Sequence, residues 1–249
     1  LPRWYTPTRR SRSPSWRPPE QPKAGQSTSK VELSGKTAVV TGASRGIGAA
    51  IARALSTAGC SVILVARGSE DLDRVAGECE GPTECLSIDL ETEDATRAVA
   101  DFVTARHNRL DILINNAGIA TLGAFEETDR DTFRRHMTLN AETPYFLTQA
   151  FLPLLRRAKE ARVVNIASVV SHKGYPNQSA YSASKHALLG WTKAAARELQ
   201  EEKIRFHVVS PGGVGTRMVR EVRPDLDPAA LIDPADVAQA VLYLLSMPS

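Results

Sequence analysis

No apolar run in the 249-residue chain reaches the roughly 18 residues that a helix needs to cross a bilayer. A membrane partner is therefore not expected. Cysteine is scarce: Cys60, Cys79 and Cys85 are odd in number and show no CxxC spacing. That argues against a disulfide framework or a zinc site, and for a reducing compartment, read here as the cytoplasm. The five histidines, His107, His136, His172, His186 and His207, form no HExxH and no other ligand cluster. They are read as surface or structural residues, and no metal is expected. A large excess of either charge is missing too, since the formal net charge is only +3.

That small net charge is unevenly placed. Residues 1–30 carry seven basic groups and one acid, whereas the remainder carries 24 basic and 27 acidic groups. The basic segment holds six of the fifteen prolines and few aliphatic residues, so it lacks the apolar surface to fold alone. It has no apolar core of a secretory signal. Its Arg and Ser content resembles an organelle transit peptide, and a nucleic-acid arm is a further option. A solvated extension is the reading adopted, with no nucleic-acid partner. Residues 1–32 are thus taken as a disordered tail and residues 33–249 as one folded domain, well within the size that buries a sizeable core.

Within that domain short apolar runs alternate with helical patterns. KTAVV, CSVILVA, TECLSI, LDILINN, ARVVNIAS and IRFHVVS read as six strands. Between them lie helices, among them one long helix over residues 129–158, bent near Pro144 or Pro153, and another over 179–202. Ser69 is read as the N-cap of the second helix. Asp233 is read as the N-cap of the last, with Pro234 in its first turn. Nearly continuous apolar strands joined by helices mean a parallel sheet covered on both faces. The expected fold is α/β, a doubly wound Rossmann sheet in the order 3-2-1-4-5-6. Ligands in such sheets sit beyond the carboxyl ends of the strands.

The first strand ends in TGASRGIG, with Gly42, Ser44, Arg45, Gly46, Ile47 and Gly48. Three glycines before a helix allow a tight turn and close approach of an anion to free N–H groups. The fourth strand ends in NNAG, with Asn116, Ala117 and Gly118, and the fifth ends at Ser168. YSASK puts Tyr181 and Lys185 four residues apart, on one face of a helix. Their reference pKa values are roughly 10 and 10.4, and a neighbouring cation lowers that of a phenol. After the sixth strand comes PGGVGT, with Pro211, Gly212, Val214 and Thr216. Taken singly, each has a plain structural reading: a βα turn, a strand-end cap, a surface pair.

Together and in this order, these motifs resemble the short-chain dehydrogenase/reductase family over about residues 33–246. The resemblance implies hydride transfer between a nicotinamide cofactor and a carbonyl or secondary alcohol, as in a carbonyl reductase or alcohol dehydrogenase. It implies Tyr181 as acid/base, with Lys185 holding the ribose hydroxyls and lowering the tyrosine pKa. Ser168 would bind the substrate oxygen, and Asn140 would support a water relay to the lysine. Asp89 and Leu90 match the family's adenine-contacting pair, although Asp89 also reads as a turn residue. An acid at the end of strand two commonly selects NAD, but here Ala66 and Arg67 stand there. Arg67 and Arg45 suit a 2′-phosphate, so the expected cofactor is NADP(H). The competing reading is a catalytically silent NADP-binding sensor or scaffold. Ala120, Thr121, Val170, Tyr175 and Met218 are candidate walls for a small-molecule substrate. Arg217, Arg220 and Arg223 suit an acidic one or read as a solvated charged loop. The family's seventh strand is expected to be missing, truncated or beyond this sequence, and a homodimer or homotetramer is expected.

Overall fold

Residues 31–247 are described in the computed structural model; the expectations for residues 1–30 lie outside them. Six parallel strands follow from the six apolar runs: β1 (Thr37–Thr41), β2 (Ser61–Ala66), β3 (Thr83–Ser87), β4 (Ile112–Asn115), β5 (Ala161–Ile166) and β6 (Ile204–Val209). Their order is β3-β2-β1-β4-β5-β6, as the alternation requires. Val39 of β1 stands opposite Ile63 of β2 on one side and Leu113 of β4 on the other.

The strands' period of two feeds two cores. Ala38, Val40, Val62, Leu64, Ile112 and Ile114 face one. Val39, Ile63, Val65, Leu113 and Val163 face the other. The first is covered by helices α1 (Gly46–Thr57), α2 (Ser69–Gly77) and α8 (Pro234–Ser246). The second is covered by α3 (Ala95–Thr104) and α5 (Thr143–Leu155), whose Phe151 and Leu147 are fully buried. Full burial of such a side chain contributes about 1.5–3 kcal/mol. Val31 packs against the first core. No described helix is long and apolar enough to cross a membrane.

Three local departures from expectation have physical causes. Gly68, not Ser69, caps α2, and no side chain bonds its first turn. The long helix over 129–158 is two helices, α4 (Arg130–Met137) and α5, joined by a π turn over Thr138–Glu142. In a continuous α-helix residue 144 would donate to the carbonyl of residue 140. Pro144 has no N–H to give, so the chain widens here and the Asn140 carbonyl lacks its α-helical donor. The polar segment after PGGVGT is not structureless either. It forms α7 (Arg217–Val222), capped by the Thr216 hydroxyl, and Val214 bridges Ile232 in parallel. Asp233 does cap α8, accepting from Ala235 N–H at 2.8 Å, with Pro234 in the first turn.

Candidate active site

The candidate residues lie at the carboxyl ends of β1, β4 and β5, neighbours in the sheet, at the end of the edge strand β6, and at the start of α6 (Ser179–Glu198). After β1 the chain turns sharply, with φ of +65° at Gly42 and +56° at Gly46, values that favour glycine. A Cβ on Gly48 would strike the Gly42 carbonyl and the Asn116 amide. The loop is thereby drawn against NNAG. The Asn116 amide donates to the carbonyls of Thr41 and Gly42 at 2.9 and 3.1 Å. The Thr41 hydroxyl accepts the N–H groups of Asn116 and Ala117 at 3.0 and 3.1 Å. No side chain caps α1, and its first turn holds no acid, so its free N–H groups and positive end suit an anion. A glycine-walled cradle over an uncapped helix fits the pyrophosphate of a dinucleotide.

Asn115 ties strands together instead of facing the cradle. Its amide donates to Asn165 Oδ1 at 2.8 Å and Thr148 Oγ1 at 3.1 Å, all buried. Gly118 is constrained differently, since a Cβ there would lie 2.7 Å from Asn140 Oδ1 and 3.6 Å from Lys185 Nζ.

Asn140, on the π turn, uses its whole side chain. Its Oδ1 accepts Ile119 N–H, and its Nδ2 donates to the Ile119 carbonyl, each at 2.9 Å. Nδ2 also donates to Ser184 Oγ at 3.0 Å, and Ser184 Oγ donates to the Tyr181 carbonyl at 2.8 Å. Ser184 is a link that the sequence reading missed, although YSASK displays it. Ser168, 8% exposed, ends the segment after β5 and caps the short turn Val169–Ser171. Its hydroxyl also faces the Tyr181 phenol closely enough to oppose the effect of burial on it. The capping and facing roles coexist. Lys185, buried on α6, donates to the Ile166 carbonyl at 2.9 Å. Asn140, Ser168, Tyr181 and Lys185 thus come together.

The electrostatics differ from the expectation of a cation-acidified phenol. Burial pushes the Tyr181 phenol above its ordinary value, and the opposing influence is the Ser168 hydroxyl, not Lys185. Burial also brings the Lys185 ammonium from 10.5 down to about 8. Both shifts share one cause: the charged form loses water. Spacing shows that the two groups share a face, but desolvation decides the direction.

A stability prediction follows from Lys185. Between pH about 8 and 10.5 the unfolded chain holds a proton that the folded chain has released, so this lysine's cost fades as pH rises. Lys185→Met should therefore raise the melting temperature most at pH 7 and below. That gain over wild type should shrink as pH climbs through 8. Comparing the variant with wild type at each pH cancels the thiols of Cys60, Cys79 and Cys85, which burial raises above 9.0. A gain independent of pH would show that the buried ammonium is not its source.

At the adenosine end the two candidate arginines are unequal. Arg67 Nη1 lies 3.9 Å from Asp89 and 3.8 Å from Glu91. Arg45 is exposed and in no ion pair among the described residues. Asp89 Oδ1 accepts Glu91 N–H at 3.0 Å, the turn role foreseen as its alternative. Leu90 is buried, and its carbonyl accepts the Thr143 hydroxyl at 2.9 Å. Arg74 of α2 donates to the Ser44 carbonyl at 3.1 Å, a brace that no local spacing announces. At the opposite rim the Pro211 carbonyl accepts Val169 N–H at 3.0 Å. Gly212 lies near Ile232, and Val214 is buried.

A cleft of ≈ 500 Å³ opens between α1, α7 and α8, lined by Arg45, Arg53, Thr216, Arg217 and Arg220. It adjoins the cradle, but neither Ser168 nor Tyr181 lines it. Of the candidate substrate walls, Val170 is buried, whereas Tyr175 and Met218 are exposed.

A model of the short chain dehydrogenase family matches residues 36–227. The chain is 35% identical over 224 residues to an acetoacetyl-CoA reductase of Acinetobacter sp. (strain RA3849), covering 85% of this chain and 90% of the relative. It is 33% identical over 228 residues to the NADPH carbonyl reductase 2 of Sus scrofa, with 87% and 91% covered. Among solved structures it is similar to a metagenomic short-chain oxidoreductase in complex with NADP, at 38% identity and a TM-score of 0.77. That match covers 87% of this chain and 93% of the other.

Proposed function

The chain belongs to the short-chain dehydrogenase family, and we propose that it is an NADP(H)-linked oxidoreductase acting on a carbonyl or the matching secondary alcohol. The observation that carries this reading is the hydroxyl pair of Ser168 and Tyr181, beside the glycine cradle. Bound there, the nicotinamide supplies hydride. Gly42, Gly46, Ile47 and Gly48 hold the pyrophosphate with Ser44, while Asn116, Ala117 and Gly118 line the cradle. Lys185 holds the ribose, and Pro211, Gly212, Val214 and Thr216 close over the nicotinamide end. Arg45, assisted by Arg67, meets the 2′-phosphate, with Asp89 and Leu90 at the adenine. The NADP carried by the metagenomic oxidoreductase agrees with this assignment.

Ser168 fixes the substrate oxygen, and Tyr181 delivers its proton as that oxygen becomes alkoxide-like. Asn140 keeps the segment after NNAG and the start of α6 in register. The sensor or scaffold reading draws no support from the site, in which all four polar groups are present. Pairing of two copies through α5 and α6 completes the proposal. Tyr145 and Phe146 stand 43% and 45% exposed on α5, and Tyr145 packs edge-on against Trp191 of α6.

The test is a panel of aldehydes and ketones with NADPH and with NADH, followed by loss of reduced-nicotinamide absorbance. The expected result is turnover of at least one carbonyl with a higher kcat/KM for NADPH. Tight NADPH binding without turnover of any carbonyl, or of any secondary alcohol with NADP⁺, would instead favour the silent binder.

A further inference from the structure

In the sequence His136 belongs to no ligand cluster, yet the fold brings it against Tyr181. It is 1% exposed, near the end of α4 and four residues before Asn140. Its Nδ1 lies 2.8 Å from the Thr132 carbonyl. Its Nε2 accepts Thr121 N–H at 3.2 Å, with the Thr121 hydroxyl at 3.4 Å. A carbonyl only accepts and a backbone N–H only donates, so the proton is on Nδ1 and Nε2 is bare. The ring stands edge-on to the Tyr181 ring, with centroids 6.2 Å apart and planes at 62°.

One helical ridge therefore grips the segment after NNAG twice. Asn140 takes both backbone groups of Ile119, and His136 takes the N–H of Thr121, a candidate substrate wall. The same imidazole flanks the aromatic ring that presents the phenol. We propose that His136, in its Nδ1–H form, is a positioning residue that sets the Tyr181 ring and the Thr121 wall against each other; this rests on the reading of Tyr181 as proton donor.

The arrangement has a built-in acid limit. A second proton would put an N–H on Nε2, facing the N–H of Thr121, and the grip would open. Burial holds His136 below its ordinary value, with the Arg135 charge acting the same way. The titratable groups against it are Tyr181 from α6 and Arg135 on its own helix. Residues 119–121 contribute none. Arg135 is already paired with Glu91, at 2.8 and 3.1 Å.

The experiment uses the full chain and two variants, with a magnetic-resonance readout that needs no substrate. In wild type the imidazole nitrogen resonances of His136 should show the Nδ1–H tautomer at pH 7, and His136→Gln should shift the Tyr181 ring resonances. With a carbonyl that wild type reduces, His136→Phe keeps an aromatic ring but loses the Thr121 acceptor. It should lower kcat about 10- to 100-fold, as a slight misplacement of reacting groups does. NADPH affinity should stay within about twofold, since the residues assigned to the cofactor are untouched. His136→Gln should erase the acidic limb of the wild-type kcat profile. An Nε2–H tautomer or an imidazolium at pH 7 overturns the proposal, even if neither variant folds. So does unchanged kcat with an unchanged acidic limb in both variants. Wild-type activity in Tyr181→Phe would instead sink the reading of the site itself, which separates the two failures.

Discussion

Tyr181→Phe should leave NADPH binding within a few-fold of wild type and lower kcat about 10³-fold, the range that a positioned proton donor supplies. The substitution removes one oxygen and keeps the ring. Its edge contact with His136 and its place on the buried side of α6 survive. What goes is the phenol that faces Ser168. The Ser168 hydroxyl still accepts Val170 N–H, so the end of β5 keeps its cap and the loss is chemical, not structural. Steady-state reduction of a carbonyl, alongside fluorescence titration with NADPH, separates the two quantities. Unimpaired kcat in this variant would require another proton donor. Weak turnover accompanied by equally weak cofactor binding would mean that the ring shapes the cradle.

Arg45→Ala should weaken NADPH about 10- to 150-fold while leaving NADH nearly unchanged. That range corresponds to loss of a charge-assisted contact of about 1.5–3 kcal/mol. The residue precedes α1, is exposed, and is engaged in no ion pair among the described residues. Its guanidinium therefore reaches a phosphate without first surrendering a carboxylate. Arg67 does not share that freedom, because it lies between Asp89 and Glu91. Arg67→Ala should cost less, and the sequence alone ranks the two arginines equally. Titration of each variant with both cofactors checks the assignment. Equal losses for NADPH and NADH would place Arg45 on a part of the dinucleotide common to both.

The sheet was readable because its strands are continuous β-branched runs set between helices, a pattern with one economical topology. The cradle and the Tyr181–Lys185 pair were readable because glycine positions and helical spacing are local properties. What escaped depends on contacts between distant segments or on small departures from periodicity. The π turn leaves no spacing signature, only the two prolines: Pro144 stands beside the break, whereas α5 runs on through Pro153. Helix α7 spans six residues without a buried side chain, so no apolar stripe announces it. His136 looks like any histidine until α4 is packed against α6. Burial, which sets the direction of both the Tyr181 and Lys185 shifts, is a property of the finished fold.

The widened turn has a consequence for mutational scanning of this region. Changing residue 140 to any other amino acid reports only on its amide side chain, because every replacement carries the same main-chain oxygen. Whether that oxygen can take an α-type donor is decided four residues downstream, by the absent hydrogen of a proline ring. A survey that substitutes each polar group in turn would pass over Pro144 and so miss the residue that withholds the α-type donor from the turn carrying Asn140.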